Sequence, residues 1–185
     1  MRTRSNILTI ILTVLLLSFK PTSEPIKIAG QINQNPKDSL GYIEGLTIFA
    51  KVGNQACDKA IVGKKGKFSL TVEKINGDRL DIFCYGIGVD TVLLFSTTNI
   101  RNLEPKMELY FPMKLKKNIF GKVICPICHK TDKVFPIIYG DGQIVQQKIK
   151  NGDTTYTNIV NKKYYAGTCI NQVARYYCDR DKIKF

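Results

Sequence analysis

The chain has 185 residues, with 28 basic and 15 acidic side chains, six cysteines, one histidine and a formal net charge of +13. A single histidine cannot supply an H-E-x-x-H zinc site, so the composition argues against a metallohydrolase. The length allows one domain or a small domain with an appendage.

The first residues have the features of an export signal. Arg2 and Arg4 form a short positive region, and residues 7–19 are apolar apart from two threonines and one serine. A run of 13 residues suits the apolar part of a signal peptide, whereas a membrane-spanning helix needs about 18 or more. The small residues after Pro21 do not form an A-x-A cleavage site. Residues 1–23 are therefore expected to be either a cleaved signal peptide or an uncleaved N-terminal anchor.

Export determines where the protein works and what it can bind. We expect it in the periplasm or cell envelope, where its N-terminal segment could contact the membrane. Without residues 1–23, 25 basic and 15 acidic side chains remain, a net charge of +10. Nucleic acid is not an expected partner outside the cytoplasm, which leaves an envelope protein or an anionic surface. The lysines are spread along the sequence, which indicates mainly a solvated basic surface.

Residues 24–118 consist of short alternating apolar and polar runs separated by glycine turns, with no helical periodicity. This pattern predicts an all-β fold, an antiparallel β-sandwich whose core is buried between two sheets. The G-x-G in residues 85–90 has no phosphate-binding continuation and predicts a turn. The predicted strands are residues 26–32, 46–52, 67–72, 80–85, 91–95 and 107–113.

Three segments of this region carry a family resemblance: residues 28–32 (I-x-G-x-I), 44–48 (E-G-L-T-I) and 66–70 (G-K-F-S-L). In this order they resemble the carboxypeptidase-regulatory-like, prealbumin-type sandwich domains of exported bacterial proteins. The resemblance implies a domain without catalytic residues that serves as a spacer, a folding aid or a binding module. It also implies the envelope of a Gram-negative bacterium.

Two cysteines belong to the sandwich region. Cys57 and Cys84 fall on or beside predicted strands. Each could be a small buried hydrophobic residue, as free cysteine often is, or the two could form a disulfide across the sheets. The sequence leaves both interpretations open.

Residues 119–185 have a different pattern, dominated by cysteine. Cys125, Cys128 and His129 form the motif C-P-I-C-H. This spacing suits a structural zinc site, the attachment of a c-type haem, or a reversible disulfide of the thioredoxin kind. Strands are predicted at 120–124 and 133–140, so the two cysteines would lie in a tight turn between strands. A redox pair instead begins a helix, which the β-branched and proline residues after the motif disfavour.

A second resemblance covers this region. The opening from Cys125 to Gly140, followed by Gly167-Thr168-Cys169 and then Arg175-Tyr176-Tyr177-Cys178, resembles a small bacterial cysteine-rich, zinc-ribbon-like module. The resemblance implies a structural zinc ion. It also reveals a departure, because Asp181 stands where such a module has its fourth sulfur.

The sequence therefore leaves the ligand set open. The candidate metal ligands are Cys125, Cys128, Cys169, Cys178 and Asp181, and His129 is a further alternative. Two disulfides among the four cysteines are another interpretation in an oxidising compartment. We expect an exported, non-enzymatic envelope protein with a binding or structural role and a structural zinc site. The alternative is an exported c-type haem or thiol-redox protein that uses Cys125, Cys128 and His129.

Overall fold

The computed structural model describes residues 25–34, 43–53, 55–72, 79–104, 106–140, 145–150, 153–166 and 173–185. The predicted leader (1–23) and Cys169 lie outside the described residues. Within them the regular structure is fourteen strands and two 3₁₀ turns (Lys64–Gly66 and Ile100–Asn102), which confirms the predicted all-β fold. None of the helices among the described residues could span a membrane. The strands are β1 (Ile26–Gln34), β2 (Thr47–Val52), β3 (Gln55–Ile61), β4 (Lys67–Val72), β5 (Leu80–Gly86), β6 (Val89–Thr97), β7 (Lys106–Phe111), β8 (Val134–Tyr139), β9 (Gln146–Lys150), β10 (Asp153–Thr157), β11 (Ile159–Val160), β12 (Lys163–Ala166), β13 (Tyr176–Cys178) and β14 (Ile183–Lys184).

Strands β1 to β7 form two sheets that share one core. One sheet has the order β4-β1-β7 and the other β3-β2-β5-β6. Strands β2 and β4 bury every second residue, as the alternating sequence predicts. Ile28 and Leu70 from the first sheet pack with Ile48 and Ile82 from the second, all at most 1% exposed. Every strand pair in the two sheets is antiparallel except β1 with β7, which is parallel.

The turn before β4 requires glycine. Gly66 has φ +74°, and a Cβ atom there would lie 2.1 Å from the carbonyl oxygen of Ile32 on β1. Both the left-handed backbone and the close approach of β1 exclude a side chain.

The C-terminal residues form further β structure, which differs in two places from the predicted pattern. A five-stranded sheet has the order β11-β12-β8-β13-β14, and β9 pairs with β10. The predicted strand at 120–124 is instead an irregular segment, joined to the chain before it by a bridge between Lys117 and Val123. Strands β9 and β10, which pair antiparallel, lie where the sequence predicted no strand.

The C-terminal region covers the outer face of the four-stranded sheet. Phe83 of β5 and Leu93 of β6 belong to a second buried cluster together with Cys125, Cys178 and Phe185. Residues 80–84 of β5 are consequently all buried, because one face meets the other sandwich sheet and the other face meets the C-terminal region. The molecule thus has three layers at this point.

Cys57 and Cys84 are free thiols. They lie on β3 and β5, two strands of the same sheet with β2 between them. Two inter-strand spacings amount to about 9.6 Å, which is more than a disulfide spans. The disulfide interpretation is therefore wrong, and Cys84, which is 0% exposed, is a small buried hydrophobic residue.

Candidate metal centre

The first cysteine pair forms a tight turn in front of β8. The Sγ atom of Cys125 accepts hydrogen bonds from the backbone N–H groups of Ile127, at 3.4 Å, and Cys128. The N–H of His129 donates to the carbonyl oxygen of Cys125 at 3.0 Å, which closes the turn. His129 has φ +56°, a left-handed conformation in which histidine is enriched among non-glycine residues. We name residues 125–129 the opening knuckle.

Residues 178–182 form a second turn of the same kind, between β13 and β14, which we name the closing knuckle. The Sγ atom of Cys178 accepts hydrogen bonds from the backbone N–H groups of Arg180 and Asp181. The next residue, Lys182, has φ +54°. In both knuckles, the sulfur of the first cysteine therefore accepts hydrogen bonds from the backbone N–H groups two and three residues later. The residue four positions after that cysteine has a left-handed backbone conformation.

The two knuckles bring four potential ligands together. The Sγ atoms of Cys125, Cys128 and Cys178 and a carboxylate oxygen of Asp181 all lie within 4.8 Å of one another. Asp181 Oδ2 is 3.0 Å from the sulfur of Cys125 and 3.2 Å from that of Cys178. The sulfurs of Cys128 and Cys178 are 3.8 Å apart, well beyond a disulfide bond of about 2.05 Å.

These distances suit a single ion. A tetrahedral zinc ion with sulfur at about 2.3 Å places two sulfurs about 3.8 Å apart, and a carboxylate oxygen at about 2.0 Å lies about 3.5 Å from each sulfur. The sulfur–sulfur distance of 3.8 Å agrees with this geometry. The sulfur–oxygen distances of 3.0 and 3.2 Å are shorter, as expected of thiols that donate to the carboxylate. An ion would lengthen these two contacts by a few tenths of an ångström and would draw together any pair near the 4.8 Å limit of the group by about 1 Å.

The protonation of the cluster follows from its burial. Burial raises the pKa of the Cys125 thiol, and the hydrogen bond to Asp181 raises it further. Burial also raises the pKa of Cys178, to about 11. For Asp181 burial raises the pKa, but hydrogen bonds from the three thiols outweigh it, so the pKa of this carboxyl lies below its usual value. In the metal-free protein, the ionised carboxylate of Asp181 therefore accepts hydrogen bonds from the cysteine thiols.

Two arginines interact electrostatically with the cluster, and each is also paired with a carboxylate outside it, Arg79 with Asp81 and Arg180 with Asp132. Three thiolates and a carboxylate around a divalent ion carry a net charge of −2. Arg79, from the sandwich, interacts electrostatically with Asp181 and Cys125. Arg180, from the closing knuckle, does so with Cys128 and Cys178. A cleft of about 440 Å³ between the sandwich and the C-terminal region is lined by Arg79 and Asp181.

The structure separates the alternatives that the sequence left open. Among the described residues, Asp181 belongs to the group of potential metal ligands and His129 does not. His129 is exposed, and the left-handed knuckle position accounts for its presence in the motif. Cys169 lies outside the described residues and stays a prediction.

The haem and redox alternatives fit the geometry poorly. The two sulfurs of the C-x-x-C pair converge with Cys178 and Asp181 on a space for one ion, whereas a haem needs both sulfurs and the histidine around a macrocycle. A reactive redox thiol has a lowered pKa, but that of Cys125 is raised. Its turn also precedes a strand and not a helix.

Part of the site escapes sequence reasoning. Phe83 and Leu93 pack on the knuckles from strands predicted to face only the sandwich core. Arg79, which lies near the cluster, precedes β5 in a segment without any motif. The equivalence of residues 178–182 with 125–129 was indicated by the sequence, in which Asp181 stands at the position of the fourth sulfur.

Comparison with known proteins adds little. No protein-family model matches the chain, and no curated protein matches it significantly. Among solved structures the chain is similar to a 9R-lipoxygenase from Cyanothece PCC8801, at 13% identity and a TM-score of 0.32. The match covers 62% of this chain and 21% of the lipoxygenase chain, so this protein spans about a fifth of that enzyme. A likeness at this level carries no argument about fold or activity.

Proposed function

We propose that the protein is an exported, non-enzymatic envelope protein whose C-terminal region folds around one structural zinc ion. The ligands are Cys125, Cys128, Cys178 and Asp181. The observation that carries the proposal is the pairing of two equivalent knuckles whose four side chains lie within 4.8 Å of one another. Three sulfurs favour zinc over the hard cations calcium and magnesium.

A structural role is supported by the closure of the ligand set. Three sulfurs and one carboxylate from the protein fill a tetrahedral shell, whereas a catalytic zinc ion keeps one position for water or substrate. The sulfurs of Cys125 and Cys178 lie in the buried cluster that also contains Phe83 and Leu93 of the sandwich. An ion at this place would hold the two knuckles together and press them onto the outer face of the four-stranded sheet.

Export and the envelope location rest on the sequence of residues 1–23 and on the family resemblances. Fractionation of cells that express the full chain with a C-terminal tag tests them. Tagged protein in the periplasm or envelope fraction is expected, and recovery only from the cytosol would contradict the proposal.

Metal analysis tests the zinc site itself. The full chain, exported and purified without chelator, should contain about one zinc ion, and Cys125→Ser should abolish stoichiometric binding because a closed four-ligand shell loses a thiolate. Cys57→Ser is the matched control, since Cys57 is a free thiol on β3 outside the cluster. Stoichiometric iron with a haem absorption band, or equal zinc loss in both variants, would overturn the proposal.

Removal of the ion should also loosen the C-terminal region. A chelator should lower the melting temperature of the parent protein and of Cys57→Ser, but not that of Cys125→Ser, which has no ion to lose. An unchanged melting temperature of the parent after zinc loss would contradict a structural role.

A further inference from the structure

Two large apolar side chains project into solvent at the tip of one turn. Ile119 is 94% exposed and Phe120 is 79% exposed. They follow each other in the chain, in the turn between the bridge partners Lys117 and Val123. Single exposed apolar residues scattered over a surface are ordinary. Adjacent exposed apolar side chains instead form a patch of the kind found at protein and membrane interaction sites.

The turn that presents this pair is held in place. The Oδ1 atom of Asn118 accepts hydrogen bonds from the N–H groups of Phe120, at 3.0 Å, and Lys122, at 2.9 Å. The backbone N–H of Asn118 donates to the carbonyl oxygen of Lys122 at 2.9 Å, and Gly121 adopts φ +74°. Because the turn is already ordered, its apolar tip needs little further ordering to bind a surface.

Lysines surround the tip. Lys116, Lys117 and Lys122 are exposed, and none has an ion-pair partner among the described residues. A cleft of about 770 Å³ beside the tip is lined by apolar side chains, among them Phe135 and Tyr176, and by Lys122, Lys133 and Lys162. Its one carboxylate, Asp132, is paired with Arg180 at 2.8 Å. The surface around the apolar pair is therefore positively charged.

We propose that this tip inserts into the interface of an anionic lipid bilayer. Ile119 and Phe120 would enter the boundary between head groups and acyl chains, while Lys116, Lys117 and Lys122 lie at the level of the lipid phosphates. A protein partner would need a broader surface, since a specific interface buries about 1,000 Å² or more. A narrow apolar tip surrounded by lysines instead suits a deformable lipid surface into which the two side chains can insert. The inference names a partner for the envelope protein proposed above, but it uses none of the metal ligands.

The absence of tryptophan from the chain makes a direct test available. In the full chain, Phe120→Trp places the only tryptophan at the tip, and its fluorescence reports the tip alone even if residues 1–23 also bind membrane. The emission should shift to the blue with mixed phosphatidylcholine–phosphatidylglycerol vesicles, and should do so less with phosphatidylcholine alone. Ile87→Trp is the matched control, because Ile87 is 97% exposed on the turn between β5 and β6 with no lysine within four residues. Its emission should stay that of a water-exposed indole.

The contribution of the lysines to vesicle binding is tested in the Phe120→Trp variant. Replacement of Lys116, Lys117 and Lys122 by glutamine should reduce the preference for anionic vesicles on the order of 100-fold, because each lysine contributes about 1 kcal/mol of attraction to an anionic surface. Zinc is measured on the same samples. No blue shift in a sample that retains zinc overturns the lipid proposal alone, and a shift produced only by added envelope protein overturns it in favour of a protein partner. An undiminished preference for anionic vesicles in the triple variant would overturn the role of the lysines.

Discussion

Asp181 occupies in the closing knuckle the place that Cys128 occupies in the opening one. Each residue follows the first cysteine of its knuckle by three positions, donates its backbone N–H to that sulfur and precedes a left-handed residue. The carboxylate oxygen of Asp181 lies 3.0 and 3.2 Å from two of the sulfurs. A residue that departs from the cysteine motif thus lies among the potential metal ligands.

Exchange of this residue for cysteine should therefore preserve the site. Asp181→Cys restores a second C-x-x-C pair, and we expect it to bind zinc at least as tightly as the parent because thiolate is the softer ligand. Asp181→Ala should weaken zinc binding by about 100-fold or more, since one of four ligands is lost. Competition with a chromophoric chelator measures both. Cys169→Ser is the control and should leave the affinity unchanged. Weaker binding in Cys169→Ser than in Asp181→Ala would show that the fourth ligand has been misassigned.

Zinc affinity should fall steeply with falling pH. Burial raises the pKa of Cys125, and that of Cys178 to about 11. Both thiols are protonated in the metal-free protein below those values, whereas zinc binds thiolates, so each ion that binds releases at least these two protons. Between pH 6 and 8 the apparent affinity should rise by about 100-fold or more per pH unit. A slope of tenfold per unit or less would mean that at most one protonated thiol is a ligand.

Sequence reasoning succeeded where local pattern determines structure. The alternation in β2 and β4 predicted both the strands and the residues that face the core. It failed for β5, which looks one-sided in sequence but is buried on both faces because the C-terminal region packs on Phe83. Strand β3 was not predicted, since Gln55–Ile61 is short of β-branched residues and only its pairing with β2 makes it a strand.

The candidate site, like the fold, was predicted only in part. The spacing of Cys125 and Cys128 indicated a knuckle, and position along the chain suggested Asp181. Sequence could not choose between Asp181, Cys169 and His129, because the choice depends on which side chains the packing of β13 and β14 brings back to the opening knuckle. Nor could it foresee Arg79, which reaches the cluster from the sandwich.

A buried carboxylate beside the candidate metal centre should matter for stability. Asp81 is 3% exposed, pairs with Arg79 at 2.8 Å and accepts a hydrogen bond from Ser96 at 2.7 Å. Asp81→Ala removes a buried carboxylate and its hydrogen bonds, but Arg79 is 34% exposed and can be hydrated, so the zinc-loaded protein should lose about 1–2 kcal/mol in urea denaturation. Asp132→Ala breaks the exposed pair with Arg180 and should have little effect. Equal losses of stability from the two changes would mean that burial of Asp81 does not govern its contribution to the free energy of unfolding.

Substitutions at two glycines with the same φ distinguish the cost of backbone strain from the cost of steric overlap. Gly66 and Gly121 both have φ +74°, but only at Gly66 would a Cβ atom meet backbone, 2.1 Å from the oxygen of Ile32. Gly121→Ala should lower the free energy of unfolding by about 1 kcal/mol, the cost of the left-handed conformation. Gly66→Ala adds the overlap and should cost about 3 kcal/mol or more. Urea titration of both zinc-loaded variants measures the difference. A smaller loss at Gly66 than at Gly121 would contradict the close packing of β1 on this turn.

X-ray absorption spectroscopy at the zinc edge of the purified full chain tests the central claim most directly. The two-knuckle site predicts three sulfurs at about 2.3 Å and one oxygen at about 2.0 Å, and Asp181→Cys should convert this shell to four sulfurs. Four sulfurs in the parent protein, or an imidazole nitrogen in the shell, would contradict Asp181 as the fourth ligand.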